Sequence, residues 1–127
     1  MNTLPIQKIA SLKDFPNQLL ICFNGTSNDT RLWLIQLYQS YLENPTKFTL
    51  LCVDNWEGTL GSYRADIGAD LRDQLPDTLL HCFLDNIFYC HASSMEMEYQ
   101  KLSHQVTELI RQLKKERNLE KEIILKH

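Results

Sequence analysis

Two short apolar runs constrain this chain more than any other feature. Residues 19–23 read Leu19, Leu20, Ile21, Cys22 and Phe23 without a polar interruption. Residues 48–53 run from Phe48 through Leu50, Leu51, Cys52 and Val53 with only Thr49 between. A run that is apolar at every position, not at alternate ones, suits a strand buried on both faces, as in a parallel sheet with helices above and below it. The stretch between the runs has helical spacing, with Leu34, Leu37, Tyr38, Tyr41 and Leu42 recurring at steps of three and four. Ser27, Asn28 and Asp29 stand before it as helix caps, and Asn44-Pro45 ends it, because proline disfavours helix at the residue before it. Strand, helix and strand with short joints make a right-handed βαβ unit, so the fold class is α/β.

The rest of the chain extends that unit. Residues 4–9 alternate weakly and suit an edge strand, and residues 11–15 offer one helical turn, capped by Ser11 and stopped by Pro16. A second, weaker helix is expected over 63–75, with Ala65, Ile67 and Leu71 inward and Gly68 in its middle. Residues 78–84 and 87–91 read as strands joined by Asp85-Asn86, a two-residue joint that suits a tight hairpin. That register opposes His81 to Cys90 and points Cys82 and Cys90 to opposite faces, so those two cysteines are not bonded to each other. The capping box of Ser93 and Glu96 opens a last helix with a stripe at Met95, Tyr99, Leu102, Val106, Leu109 and Leu113. From about residue 114 the chain becomes a charged helical extension ending in Ile123, Ile124 and Leu125. This tail is expected to add little to the monomer, and a second copy docking through the C-terminal helix would cover its apolar end. With 127 residues, one domain spanning 1–127 is the expectation.

Charge and composition narrow the partners. Sixteen acidic and 13 basic residues give a net charge of −3, too balanced for nucleic acid, which rewards clustered lysine and arginine. No apolar run approaches the roughly 18 residues that cross a bilayer, and the start of the chain lacks a signal-peptide pattern, so a cytoplasmic location is expected. Four cysteines, Cys22, Cys52, Cys82 and Cys90, lie inside strand-like runs with no C-x-x-C spacing. They read as buried, reduced core thiols. No metal site or cofactor motif is present in the sequence.

The order of elements, with its closing hairpin and capping helix, resembles the thioredoxin fold. Ile21, Cys22 and Phe23 lead into a turn and a helix where thioredoxins place W-C-G-P-C. Pro76, Asp77, Thr78, Leu79, Leu80, His81, Cys82 and Phe83 resemble their P-T-L-L-x-F with one extra residue. The resemblance implies a three-layer sandwich around a mixed sheet of four to five strands flanked by helices. No cysteine lies between Asn24 and Arg31, and thiol–disulfide exchange needs a thiolate there. The resemblance therefore implies a non-catalytic module that binds another protein or peptide, as an adaptor, assembly factor or dedicated chaperone. Thioredoxin-like chaperones of hydrogenase maturation serve without the cysteine pair.

Candidate binding residues gather in that turn. Asn24, Thr26, Ser27 and Asn28 precede a helix N-terminus, whose amides and positive dipole end attract anions, and Arg31 adds charge. The competing reading is that Ser27, Asn28 or Asp29 caps the helix. Trp33 and Trp56 flank the same edge and serve as anchors if exposed or as core if buried. In the thioredoxin-like layout Pro76 and Asp77 join them there. No catalytic residue is assigned. The alternatives are an enzyme or small-ligand binder using the 24–31 turn, or an atypical redox protein using Cys52 or Cys90. The pair His81 and Cys90 suits a half-buried sheet contact, and Asp66, Asp70 and Asp73 with Arg64 and Arg72 suit a solvated helix face.

Overall fold

The two apolar runs lie side by side at the centre of a five-stranded sheet, in register from Leu19 beside Thr49 to Phe23 beside Val53. The computed structural model describes residues 2–9, 11–93 and 102–127. In chain order the elements are β1 (Asn2–Pro5), β2 (Gln18–Phe23), α1 (Asn28–Glu43), β3 (Thr49–Asp54), α2 (Leu60–Gln74), α3 (Leu80–Leu84), β4 (Ile87–His91), α4 (His104–Arg117) and β5 (Lys121–Lys126). The strand order is β1-β5-β2-β3-β4, and every pairing is parallel.

The helices cover both faces. Cys22, Leu20, Leu50, Cys52 and Leu125 pack with Leu34, Leu37 and Tyr38 of α1, Tyr63, Ile67 and Leu71 of α2, and Leu80 and Phe83 of α3. Leu19, Ile21, Phe23, Leu51 and Val53 point the other way and meet Val106, Ile110 and Leu113 of α4. The chain steps outward from β2 to β3 to β4, then returns past β2 to place β5 on its other side. Right-handed crossovers in opposite directions put their helices on opposite faces, which is why α4 lies on the other face from the first three.

Local chemistry sets the helix ends. Ser27 caps α1 by accepting from the Thr30 amide, Thr59 and Ser62 form a reciprocal capping box at α2, and Ser103 accepts from the Val106 amide at α4. Asn118, in the left-handed region at φ 57°, turns the chain out of α4 toward β5. Gly68, buried in α2, gives α3 room: a Cβ there would lie 3.1 Å from Leu84.

Several sequence expectations are corrected. The sheet is parallel throughout, not mixed, and the hairpin is absent because residues 80–84 are helical. Leu80, Phe83 and Leu84 form an i, i+3, i+4 stripe against the core, and Asp85 and Asn86 close the helix by donating to the His81 and Phe83 carbonyls. His81 is thus exposed and pairs with Asp85 at 3.7 Å, far from any cross-strand contact with Cys90. Cys82 is exposed rather than buried, whereas Cys22, Cys52 and Cys90 are buried, and none of the four forms a disulfide. Ala65 faces solvent, and Tyr63 takes the inward position. The edge strand is Asn2–Pro5, with a 3-10 turn at Ile6–Lys8 following it.

The largest correction concerns the tail. Residues 121–126 are not part of a helical extension but strand β5, inserted between β1 and β2. Ile123, Ile124 and Leu125 are buried because a strand flanked on both sides and covered on both faces needs consecutive apolar residues. The expected capping box at Glu96 and the first part of the last helix's stripe lie outside the described residues.

Candidate functional site

The carboxyl ends of β2, β3, β4 and β5 meet at one edge, and the turn from β2 to α1 lies across it. Asn24 opens the turn in the left-handed region at φ 59°, which asparagine tolerates better than most residues. Gly25 follows because nothing larger fits: a Cβ there would lie 2.7 Å from the Cys52 Cβ. Its amide donates to the Val53 carbonyl at 3.2 Å, and its carbonyl accepts from the Tyr63 hydroxyl at 2.7 Å.

Asp54, at the end of β3, holds the rest of the turn. One carboxylate oxygen accepts from the Thr26 amide at 2.9 Å and the Thr26 hydroxyl at 2.6 Å, and the other accepts from the Asn55 amide at 2.8 Å. The Ser27 amide donates back to the Asn24 carbonyl at 3.0 Å, and its hydroxyl accepts from the Thr30 amide at 3.2 Å. The amides of Gly25, Thr26, Ser27 and Thr30 are therefore used inside the turn, and the acidic Asp29 stands in the first turn of α1. A helix N-terminus committed in this way offers an anion little.

The sequence candidates divide accordingly. Asn24, Thr26, Ser27 and Asn28 lie together at this edge, with Ser27 as the helix cap. Arg31 is not free for a ligand: it forms ion pairs with Asp66 and Asp70 of α2, whose charge raises its pKa against the opposing effect of partial burial. Trp33 is core, its indole N–H donating to the Ile9 carbonyl at 3.0 Å. Trp56 is half-buried, edge-on to Tyr89 with ring centroids 5.5 Å apart. Pro76 and Asp77 do not join the edge. The 15 residues of α2 run about 22 Å antiparallel to the strands and deliver them to the opposite end of the sheet, where the Pro76 carbonyl accepts from Tyr38 far along α1. The peptide bond before Pro76 is trans.

Three groups at this edge were not singled out for it by sequence reasoning. Tyr89 donates from its hydroxyl to the Asp54 and Trp56 carbonyls at 3.1 and 2.6 Å, and burial pushes its pKa up to about 12. Cys22 lies beside Cys52 in register, with its sulfur 3.7 Å from the Thr30 hydroxyl and 3.9 Å from His127 Nε2. The Cys52 thiol beside it, aided by His127 and Thr30 against the cost of burial, pulls the Cys22 pKa down to about 6; Cys52 is pushed well above the usual thiol range. His127 Nε2 also lies 2.8 Å from the Phe23 carbonyl, and contact with Cys22 raises its pKa to about 9. None of these contacts has a signal in the linear sequence, because each is made only when separate elements of the fold come together. Among the described residues, no group of three or more His, Cys, Asp or Glu side chains is placed to hold a metal ion, and no helix is long and apolar enough to cross a membrane.

Beside the turn lies an open cleft of about 460 Å³ between α1 and the segment after β1, lined by Ile6, Gln7, Asp29, Leu32, Trp33, Gln36 and His127. Leu32, 60% exposed, is the one large apolar side chain left standing in solvent among the described residues.

These features define a parallel α/β domain with helices on both faces of the sheet, in which the chain steps from β2 through β3 to β4 and then crosses back to β5 on the other side of β2. No protein-family model and no curated protein matches the chain. It is similar to a solved structure of glucose-6-phosphate dehydrogenase in complex with its substrate glucose-6-phosphate, with a TM-score of 0.66 and 14% sequence identity. That likeness covers 87% of this chain and 24% of the dehydrogenase chain, so the chain spans about a quarter of that protein's length. It is a likeness of fold.

Proposed function

We propose that this chain is a non-catalytic binding module that docks another polypeptide in the cleft beside α1, with Leu32 as its apolar anchor. The observation that carries this reading is the contrast between the two halves of the edge. The turn spends its amides on Asp54, Val53 and its own cap, while Leu32 stands exposed over a groove whose walls are Ile6, Trp33 and the amides of Gln7 and Gln36. Side-chain amides suit the main chain of a peptide, and a groove in which the Asp29 carboxylate stands with His127, without lysine or arginine, lacks the clustered positive charge that a phosphate rewards.

The test is affinity purification of the tagged chain from its native cell. A partner retained by the unmodified chain and by Arg111→Ala on α4 is expected to be lost by Leu32→Asp, with folding intact in all three. Loss of a true anchor weakens binding roughly thirtyfold, or about 2 kcal/mol. Equal recovery by Leu32→Asp would overturn the reading.

A second reading, a small-ligand or enzyme-type domain as in the dehydrogenase, is favoured by one observation. In open α/β sheets ligands settle outside the carboxyl ends of the strands, and the 24–31 turn lies there, at the end of β2. A ligand drawn to those amides must first displace Asp54 from Thr26.

A further inference from the structure

Two buried cysteines on neighbouring strands are the chemistry that the docking reading leaves unused. Cys22 of β2 and Cys52 of β3 are register partners whose side chains share the face covered by α1 and α2. Neighbouring strands lie about 4.8 Å apart, inside the Cα separation of about 4.4–6.8 Å that a disulfide spans. The two thiols are free. The Cys22 sulfur also has His127 Nε2 at 3.9 Å and the Thr30 hydroxyl at 3.7 Å. His127, which contacts this buried sulfur, is itself exposed and lines the cleft.

We propose that Cys22 and Cys52 form a peroxide-responsive dithiol, in which Cys22 is oxidised first beside the His127 imidazole and Cys52 then closes a disulfide onto it. The Cys22 thiolate attacks one oxygen of hydrogen peroxide, the O–O bond breaks, and the departing hydroxide takes the imidazolium proton and leaves as water. Cys22 is now a sulfenic acid. The Cys52 sulfur attacks it, the S–O bond breaks, and the second water carries away the Cys52 proton. Two thiols and one peroxide thus yield one disulfide and two waters.

The groups facing the pair assign the order of events. Thr30 of α1, Asp54 at the end of β3, Tyr63 of α2 and His127 beyond β5 face the pair, with Asp29 acting on His127, and the cationic member adjoins Cys22 rather than Cys52. Burial together with the neighbouring Cys22 keeps Cys52 a thiol, and oxidation of Cys22 removes the larger of those effects. Cys82, though exposed, has no such setting and serves as an internal comparison.

The test treats the full chain with graded hydrogen peroxide, blocks remaining thiols in denaturant and maps the products by peptide mass spectrometry. The expected first product is a Cys22–Cys52 disulfide, formed at doses that leave Cys82 reduced. In Cys52→Ser, the rate of Cys22 alkylation by iodoacetamide should rise with a midpoint below the ordinary thiol range, held down by His127 and Thr30. In Cys52→Ser with His127→Gln the midpoint should move up toward the ordinary thiol range, about pH 8.5, a shift that loss of packing alone would not give. Oxidation of Cys82 while Cys22 and Cys52 stay reduced, or an alkylation midpoint unmoved by His127→Gln, would overturn the proposal. The unmodified chain guards against a poorly folded variant, since its oxidation pattern alone is decisive.

Discussion

Leu125→Ala should remove a large part of this domain's stability. Leu125 is fully buried in β5, beside Leu4 of β1 and Cys22 of β2, and packs into the cluster with Leu20 and Leu50. Truncating a leucine at such a site loses the transfer free energy of its methyl groups and leaves a cavity, together about 3 kcal/mol. A domain of this size is stable by about 6–19 kcal/mol, so the loss is a substantial share of the whole. With a urea slope of about 2 kcal/mol/M, the unfolding midpoint should fall by about 1.5 M at unchanged slope. Circular dichroism at 222 nm reads this directly, with Lys121→Ala, exposed on the same strand, as a control that should move the midpoint little. A fall below about 0.5 M for Leu125→Ala would mean that β5 does not sit inside the sheet, and the strand order would be wrong.

Three further outcomes test the site. Gly25→Ala should lower the melting temperature, because its Cβ would meet the Cys52 Cβ at 2.7 Å, an overpacking worth about 1–3 kcal/mol. Asp54→Ala leaves the Thr26 and Asn55 amides without their carboxylate and should cost about 2 kcal/mol, with faster hydrogen exchange at Thr26; Asp54→Asn, which keeps an acceptor, should cost less. Arg31→Ala should cost under about 1 kcal/mol in thermal melts, because Asp66 and Asp70 are half-exposed, and the difference should shrink in high salt.

The central unit was legible because continuous apolar runs and a regular helical stripe have few other readings. Leu19 to Phe23 and Leu50 to Val53 could only be strands covered on both faces, and Ser27 before Leu34 and Leu37 could serve as a cap. The seven residues 78–84 were not legible. A run this short satisfies both alternation and an i, i+3, i+4 stripe, and only packing of Leu80 against Gly68 across α2 decides for helix. Ile123 to Leu125 misled for a different reason. Three apolar residues after a charged helix look like an exposed end unless one knows that a gap beside β2 awaits them, which is a fact of topology. The same limit applies to the site. Asn24 to Asn28 could be marked from turn chemistry, but the commitment of the Thr26 amide depends on Asp54, 28 residues further along the chain and brought beside it by a parallel strand. Pro76 and Asp77 were misplaced because the hairpin reading put the end of α2 at the wrong edge of the sheet.

The internal bonding of the 24–28 turn is best tested by an amide-resolved NMR titration of the folded chain with glucose 6-phosphate and, separately, with a nicotinamide dinucleotide. If Val53, Asp54, Asn24 and Ser27 hold the turn's amides as described, the resonances of Gly25, Thr26, Ser27 and Thr30 should stay in place at millimolar ligand. Saturable shifts confined to those amides, reversed by removing the ligand, would show that the turn opens to a small molecule and would contradict the docking account.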